Sequence, residues 1–179
     1  MGELNVPADS KWGPQTQRAV DNFQISDYKM PTGFIRSLAL LKWGLANANK
    51  DLNLLSKEKA SAIADSAMEI YQGDHMKEFP VDVFQTGSGT STNMNMNEVI
   101  SHLASSESNS IHPNDDVNKS QSSNDTFPTA MNMSAYHLIN SYTIPSIESL
   151  ANEIKNKSKE FKDVVKIGRT HFMDATPLT

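Results

Sequence analysis

A chain of 179 residues is long enough for one ordinary domain, or for one domain and part of another. Its 16 Lys and Arg against 21 Asp and Glu give a formal charge of −5, which argues against a nucleic-acid binder with its basic face. The absence of cysteine excludes disulfides, thiolate zinc sites and cysteine-ligated iron–sulfur clusters within these residues. No secretory leader is read at Met1-Gly2-Glu3, and apolar runs such as Leu38-Ala39-Leu40-Leu41 are too short to cross a membrane. The expectation is a cytoplasmic protein with neither nucleic-acid nor membrane partners.

Gly13-Pro14 precedes a first predicted helix, Gln15 to Phe23, with proline where a first turn tolerates it. A second spans about Thr32 to Leu52, with Phe34, Leu38, Leu41 and Leu45 three or four apart. For the third, Ser56 can cap, Glu58 favours the first turn, and Ile63, Ala67, Ile70 and Tyr71 form a stripe that Gly73 can end. After an irregular stretch around Phe79-Pro80, the turn Gly87-Ser88-Gly89 leads into a helix from Ser91 to Leu103. Residues 105–110 read as an exposed loop. Two long helices follow: Asn124 to Ser141, with Pro128 in its first turns, and Pro145 to Phe161, with Ile147, Leu150, Ala151, Ile154 and Phe161 on one face. A short extended run, Val164 to Ile167, then meets Gly168. The class is mostly α, and the final helix pair suggests packing in a bundle. The last residues, Ala175 to Thr179, carry no termination signal and read as a cut.

Three blocks concentrate small hydrogen-bonding side chains with little charge. In the first, Gly87 to Asn97, two glycines, several hydroxyls and a helix start can expose backbone N–H groups to an anion. It lacks the Gly-Lys-Ser/Thr ending of a P-loop, and local pattern alone favours a plain glycine turn with a hydroxyl cap. The second, His112 to Thr129, is dense in donors and acceptors between Pro113 and Pro128. His112 with Asp115 and Asp116 could suggest a metal, yet no second histidine sits at helical spacing, and carboxylates beside asparagines are ordinary turn chemistry. The third is Gly168 to Pro177, where His171 needs a partner to become a catalytic base. His75, His102 and His137 receive no role. Met68, Met94 and Met131 are read as core filling.

Together these blocks resemble the fumarase/aspartase superfamily, and within it class II fumarase. The likeness also covers Val6-Pro7-Ala8-Asp9, Trp12-Gly13, Gln15-Thr16-Gln17-Arg18, Lys29-Met30-Pro31, Phe84-Gln85-Thr86 and Asn93 to Val99, all in order. It implies an N-terminal helical domain over 1–118 and, over 119–179, the first long helices of the superfamily's central helical bundle. It implies substrate binding by Ser88, Gly89, Thr90, Ser122, Ser123, Asn124 and Thr170. His171 would serve the water side of the reaction, with a glutamate partner in the family. His112, Pro113, Asn114 and Asp115 resemble the family's second dicarboxylate site. The implied reaction is reversible hydration of fumarate to malate in a homotetramer, with neither metal nor any other cofactor. Removing a proton next to a carboxylate builds up charge that many preorganised neutral donors can stabilise.

Thr170-His171 and the spellings Ser122-Ser123-Asn124 and His112-Pro113-Asn114-Asp115 are those of fumarases; aspartases usually have Thr-Gln. The alternatives are an aspartate ammonia-lyase and a non-catalytic structural protein on the same scaffold. Two departures stand out. Phe172-Met173 replaces a common Leu-Gln, and Ser108-Asn109-Ser110 replaces a stretch that in some relatives is longer and basic, which weakens the second site. The family's third signature, a Gly-Ser-Ser loop with the base for the carbon-bound proton, is expected beyond residue 179, so these residues alone are expected not to turn over fumarate.

Overall fold

The computed structural model describes residues 4–179; Met1-Gly2-Glu3, where the absence of a leader was read, lie outside them. The chain is mostly α, as its periodicity predicts. Among the described residues there are six α-helices: α1 (Pro14–Asn22), α2 (Thr32–Asp51), α3 (Lys57–Gln72), α4 (Thr90–Ala104), α5 (Ser123–Leu138) and α6 (Ile144–Glu160). Two short strands, β1 (Lys166–Arg169) and β2 (Asp174–Leu178), close the chain. By its contacts it falls into two compact units, Met1–Ala135 and Tyr136–Thr179, and the division lies inside α5.

In the first unit α2 and α3 pack against each other, and their termini follow local chemistry. Ser56 Oγ accepts the Lys59 N–H at 3.3 Å, and Gly73 takes a left-handed φ of 115° that closes the C-terminus. The core joins Phe34, Ile35, Leu38 and Ala39 of α2 to Ile63, Ala67 and Ile70 of α3 and to Met96, Val99 and Ile100 of α4. On α2 the stripe is displaced from the predicted one: Leu41 and Leu45 are only half-buried, while Lys42, Ala46 and Asn49 complete the inner face. Met96 is the buried methionine of its block; Met68 and Met94 are half-buried and Met131 is exposed, because their helices turn another face inward.

The start of α1 is capped from a distance. Gly13 offers no side chain, and Glu98 of α4 accepts the N–H groups of Gly13, Gln15 and Thr16 at 3.0, 2.9 and 2.9 Å and the Thr16 hydroxyl at 2.6 Å. Three orphan donors of a helix terminus are thereby satisfied. The predicted loop at 105–110 is exposed apart from half-buried Asn109, with Ser106 and Asn109 exchanging backbone hydrogen bonds of 3.0 and 3.2 Å.

In the second unit, α6 leaves Ile147, Leu150 and Ile154 exposed, as is Phe161 just after it. A five-residue π turn, Ile139–Thr143, links α5 to α6. The strands pair antiparallel, Lys166 with Leu178 and Arg169 with Asp174. The extended run lies two residues later than expected, and of the last residues, Ala175 to Leu178 belong to β2. Gly168 fits the pairing because a Cβ there would meet the Thr176 carbonyl at 2.8 Å.

Candidate functional site

The sequence Gly87-Ser88-Gly89 makes a turn that delivers Thr90 to the first position of α4. Gly89 adopts φ 68°, and a Cβ at that point would run into the Phe127 ring; glycine is required on both counts. The turn is fastened from two sides. Gln85 Oε1 accepts the Thr92 N–H at 2.9 Å, and Thr86 Oγ1 accepts the Ser91 N–H at 3.2 Å. Ser88 and Thr90 remain exposed, with hydroxyl oxygens 2.9 Å apart. One of the two donates to the other, which leaves one O–H directed elsewhere.

The second block folds into a tight turn followed by α5. Ser122 begins that helix: its carbonyl accepts the Thr126 N–H at 2.9 Å and its Oγ accepts the Asn124 N–H at 3.3 Å, as an N-cap does. Pro128 lies inside α5 and has no N–H for the carbonyl of Asn124, four residues back. Ser122 and Asn124 are exposed and Ser123 is half-buried.

The two helix starts are joined. Asn93, buried in α4, donates its amide hydrogens to Ser123 Oγ and Asn118 Oδ1, each at 3.0 Å. Phe127 lies over Gly89 and packs its ring 4.7 Å from that of Phe34. Beneath them Lys42, only 1 % exposed, gives its amine to Asn118 Oδ1 at 3.1 Å and Gln121 Oε1 at 2.7 Å. Burial pushes the Lys42 ammonium down to about 7. Ser88, Thr90, Ser122, Ser123 and Asn124 therefore place five neutral polar side chains at two neighbouring helix N-termini, while the predicted Gly89 is buried and gives its N–H to the Thr86 carbonyl at 2.9 Å. Such an arrangement favours an anion with several oxygens.

Thr170 and His171 occupy the turn of the β1–β2 hairpin in the second unit. Thr170 donates its N–H to the Met173 carbonyl at 2.7 Å, and its Oγ1 accepts the Met173 N–H at 3.1 Å. Arg169 Nη1 donates to the Thr170 carbonyl at 3.0 Å. The His171 ring is exposed, with the Phe172 ring 6.5 Å away and almost fully exposed.

His112 begins a π turn, Pro113–Val117, in which its Nδ1 accepts the Asp115 N–H at 3.0 Å. Asp116 ties the turn together, accepting the His112 N–H at 2.8 Å and Lys59 Nζ at 2.7 Å. Burial raises the Asp116 pKa, but the His112 N–H and the Lys59 ammonium outweigh it and hold the carboxyl below its ordinary value. His112, Asn114 and Asp115 are exposed, and Pro113 is half-buried. Among the described residues, no three His, Cys, Asp or Glu side chains converge as metal ligands.

Sequence reasoning assigned no role to Lys42, Asn93, Glu98 or Phe127. For Lys42 a signal existed: it lies four residues from Leu38 and four from Ala46, a charge on an apolar stripe. Asn93 and Phe127 stand inside the quoted blocks, but nothing local tells a polar residue that faces a ligand from one that braces it.

The family described as lyase matches residues 2–179. The chain is 50% identical over its whole length to class II fumarate hydratase of Photorhabdus laumondii and 51% identical to that of Bacillus subtilis. It spans about 40% of the length of each of these relatives. Among solved structures, class II fumarase from Schistosoma mansoni superposes with a TM-score of 0.91 at 44% identity, covering 99% of this chain and 39% of the other. With the matched region running through both helix starts and the hairpin, the chain belongs to this lyase family.

Proposed function

We propose that the chain is the N-terminal part of a class II fumarate hydratase, which interconverts fumarate and (S)-malate in the citric acid cycle by metal-independent acid–base chemistry. The observation that carries this reading is the Asn93 bridge, which holds two helix N-termini lined with neutral donors side by side. A dicarboxylate has oxygens enough for all of them. In the dehydration direction a base removes the proton from the carbon next to one carboxylate, and the electron pair moves into that carboxylate. The resulting dianionic, enolate-like group is what fixed Ser, Thr and Asn donors stabilise most. The pair then returns to form the double bond as the neighbouring hydroxyl leaves, and His171 supplies the proton that makes it water.

By resemblance, the base is a serine outside these 179 residues, and the glutamate that would support His171 is outside them too. These residues alone therefore give no turnover. On the same footing we propose the domain limit at 118/119, a cytoplasmic location, a second dicarboxylate site at His112–Asp115 and a homotetramer. The exposed Ile147, Leu150 and Ile154 of α6 support the last of these, since such a stripe suits burial against helices of other subunits.

The test uses the protein extended to the length of its relatives and treated with a chelator, followed by fumarate consumption in water and then with ammonium. Malate formation that survives chelation and drops by about a hundredfold or more in His171→Asn is expected. Aspartate formed only with ammonium would make it an ammonia-lyase, and no turnover with either would favour a structural protein.

A further inference from the structure

Lys42 enters the binding region from below, on a helix that contributes no proposed substrate contact. Among the described residues no carboxylate lies within ion-pair distance of its Nζ; its partners are the side-chain oxygens of Asn118 and Gln121. As an ammonium, Lys42 Nζ carries three N–H donors and no acceptor, so both amides turn their oxygens toward it. That fixes the Asn118 amide with its oxygen toward Lys42 and its nitrogen toward the Gln121 carbonyl, 3.3 Å away.

The orientation then propagates. Asn118 Oδ1 is also the acceptor for Asn93 Nδ2, so Asn93 must present its NH2 group on this side. The second hydrogen of that NH2 goes to Ser123 Oγ at 3.0 Å, and Ser123 is thereby made an acceptor toward the protein. Its own hydroxyl hydrogen has no acceptor among the described residues and is left to donate outward. Had Asn118 been reversed, its NH2 would face that of Asn93, and the bond to Ser123 would lose its support.

We propose that Lys42 is a positioning residue for the dicarboxylate site: through Asn118 and Asn93 it sets the direction of the hydrogen-bond chain so that the Ser123 hydroxyl points its hydrogen at a substrate carboxylate. The proposal rests on the reading of Ser123 as a substrate contact.

The experiment is a double-mutant cycle in the full-length protein, with affinity for succinate, a saturated dicarboxylate that cannot be hydrated, measured by calorimetry. Lys42→Met is expected to weaken succinate binding about tenfold, the scale set by one misdirected hydrogen bond to a charged group. In a Ser123→Ala background the same change should cost less than about twofold, because no hydroxyl remains to be oriented. A purely structural Lys42 would lower the melting temperature and weaken binding equally in both backgrounds, and that result, or an unchanged affinity in Lys42→Met, overturns the proposal. If Lys42→Met does not fold by circular dichroism, Asn118→Ala breaks the chain at its middle link and takes its place in the cycle. Failure of the underlying reading has a separate signature: Ser123→Ala would bind succinate as the parent does, or the parent would not bind it, and either overturns both.

Discussion

Glu98 shows how much one side chain can organise in this chain. Its carboxylate, buried in α4, accepts four hydrogen bonds from the start of α1, a segment more than 80 positions earlier in the chain. Gly13 is part of the same arrangement, since a Cβ there would lie 2.8 Å from Glu98 Oε1. Hydrogen bonds to a charged acceptor contribute about 1.5–3 kcal/mol each, and several here share one carboxylate. Glu98→Ala is therefore expected to lower the unfolding free energy by about 3 kcal/mol, read as a shifted urea midpoint with little change in slope. A loss below about 0.5 kcal/mol would mean that water replaces the cap.

At the scale of elements, the notable pairing is that of the α4 and α5 N-termini, held by Asn93 in one direction and by Phe127 over Gly89 in the other. The turn before α5 carries strain in support of it: Ser120 has φ 61°, a left-handed conformation unusual for serine. Gly89→Ala would drive a methyl group into the Phe127 ring and require a left-handed φ of a residue with a Cβ. We expect it to destabilise the protein by about 2 kcal/mol or more and to weaken dicarboxylate binding in parallel, measured by thermal melting and calorimetry. Both consequences follow from one contact, so a variant that loses stability while binding normally would separate the packing of the turn from its function.

Across the whole molecule, buried charge decides the pH response. Lys42 titrates near 7 when folded and near 10.5 when unfolded. Between these values the unfolded chain holds a proton that the folded chain has shed, so stability rises as pH increases through that window. Lys42→Met should flatten the rise, seen in urea midpoints taken from pH 6.5 to 10. On the acid side two carboxylates give a slope of the same sign. Burial raises the Asp82 pKa, but the N–H groups of Phe84 and Ser26 outweigh it and hold the carboxyl below its ordinary value; Asp116 is likewise depressed. Both contribute stability at neutral pH that is lost as pH falls through their folded values.

The sequence by itself determined the elements. Helical spacing, Ser56 and Gly73 as caps and Pro14 at a first turn located α1 to α6 to within a few residues, because these signals are local and act on adjacent turns. It also marked the donor blocks around Ser88, Ser123 and His171, since Ser, Thr and Asn clustered without charge are legible in one dimension. What it could not determine was which residues brace those blocks. Lys42 and Asn118, 76 positions apart, meet only after α2 has packed into the core, and the β1–β2 hairpin needed its cross-strand partners to be recognised. Tertiary structure decided these features because a buried amine or an unpaired strand is given its partners by packing, and packing joins residues that sequence proximity does not.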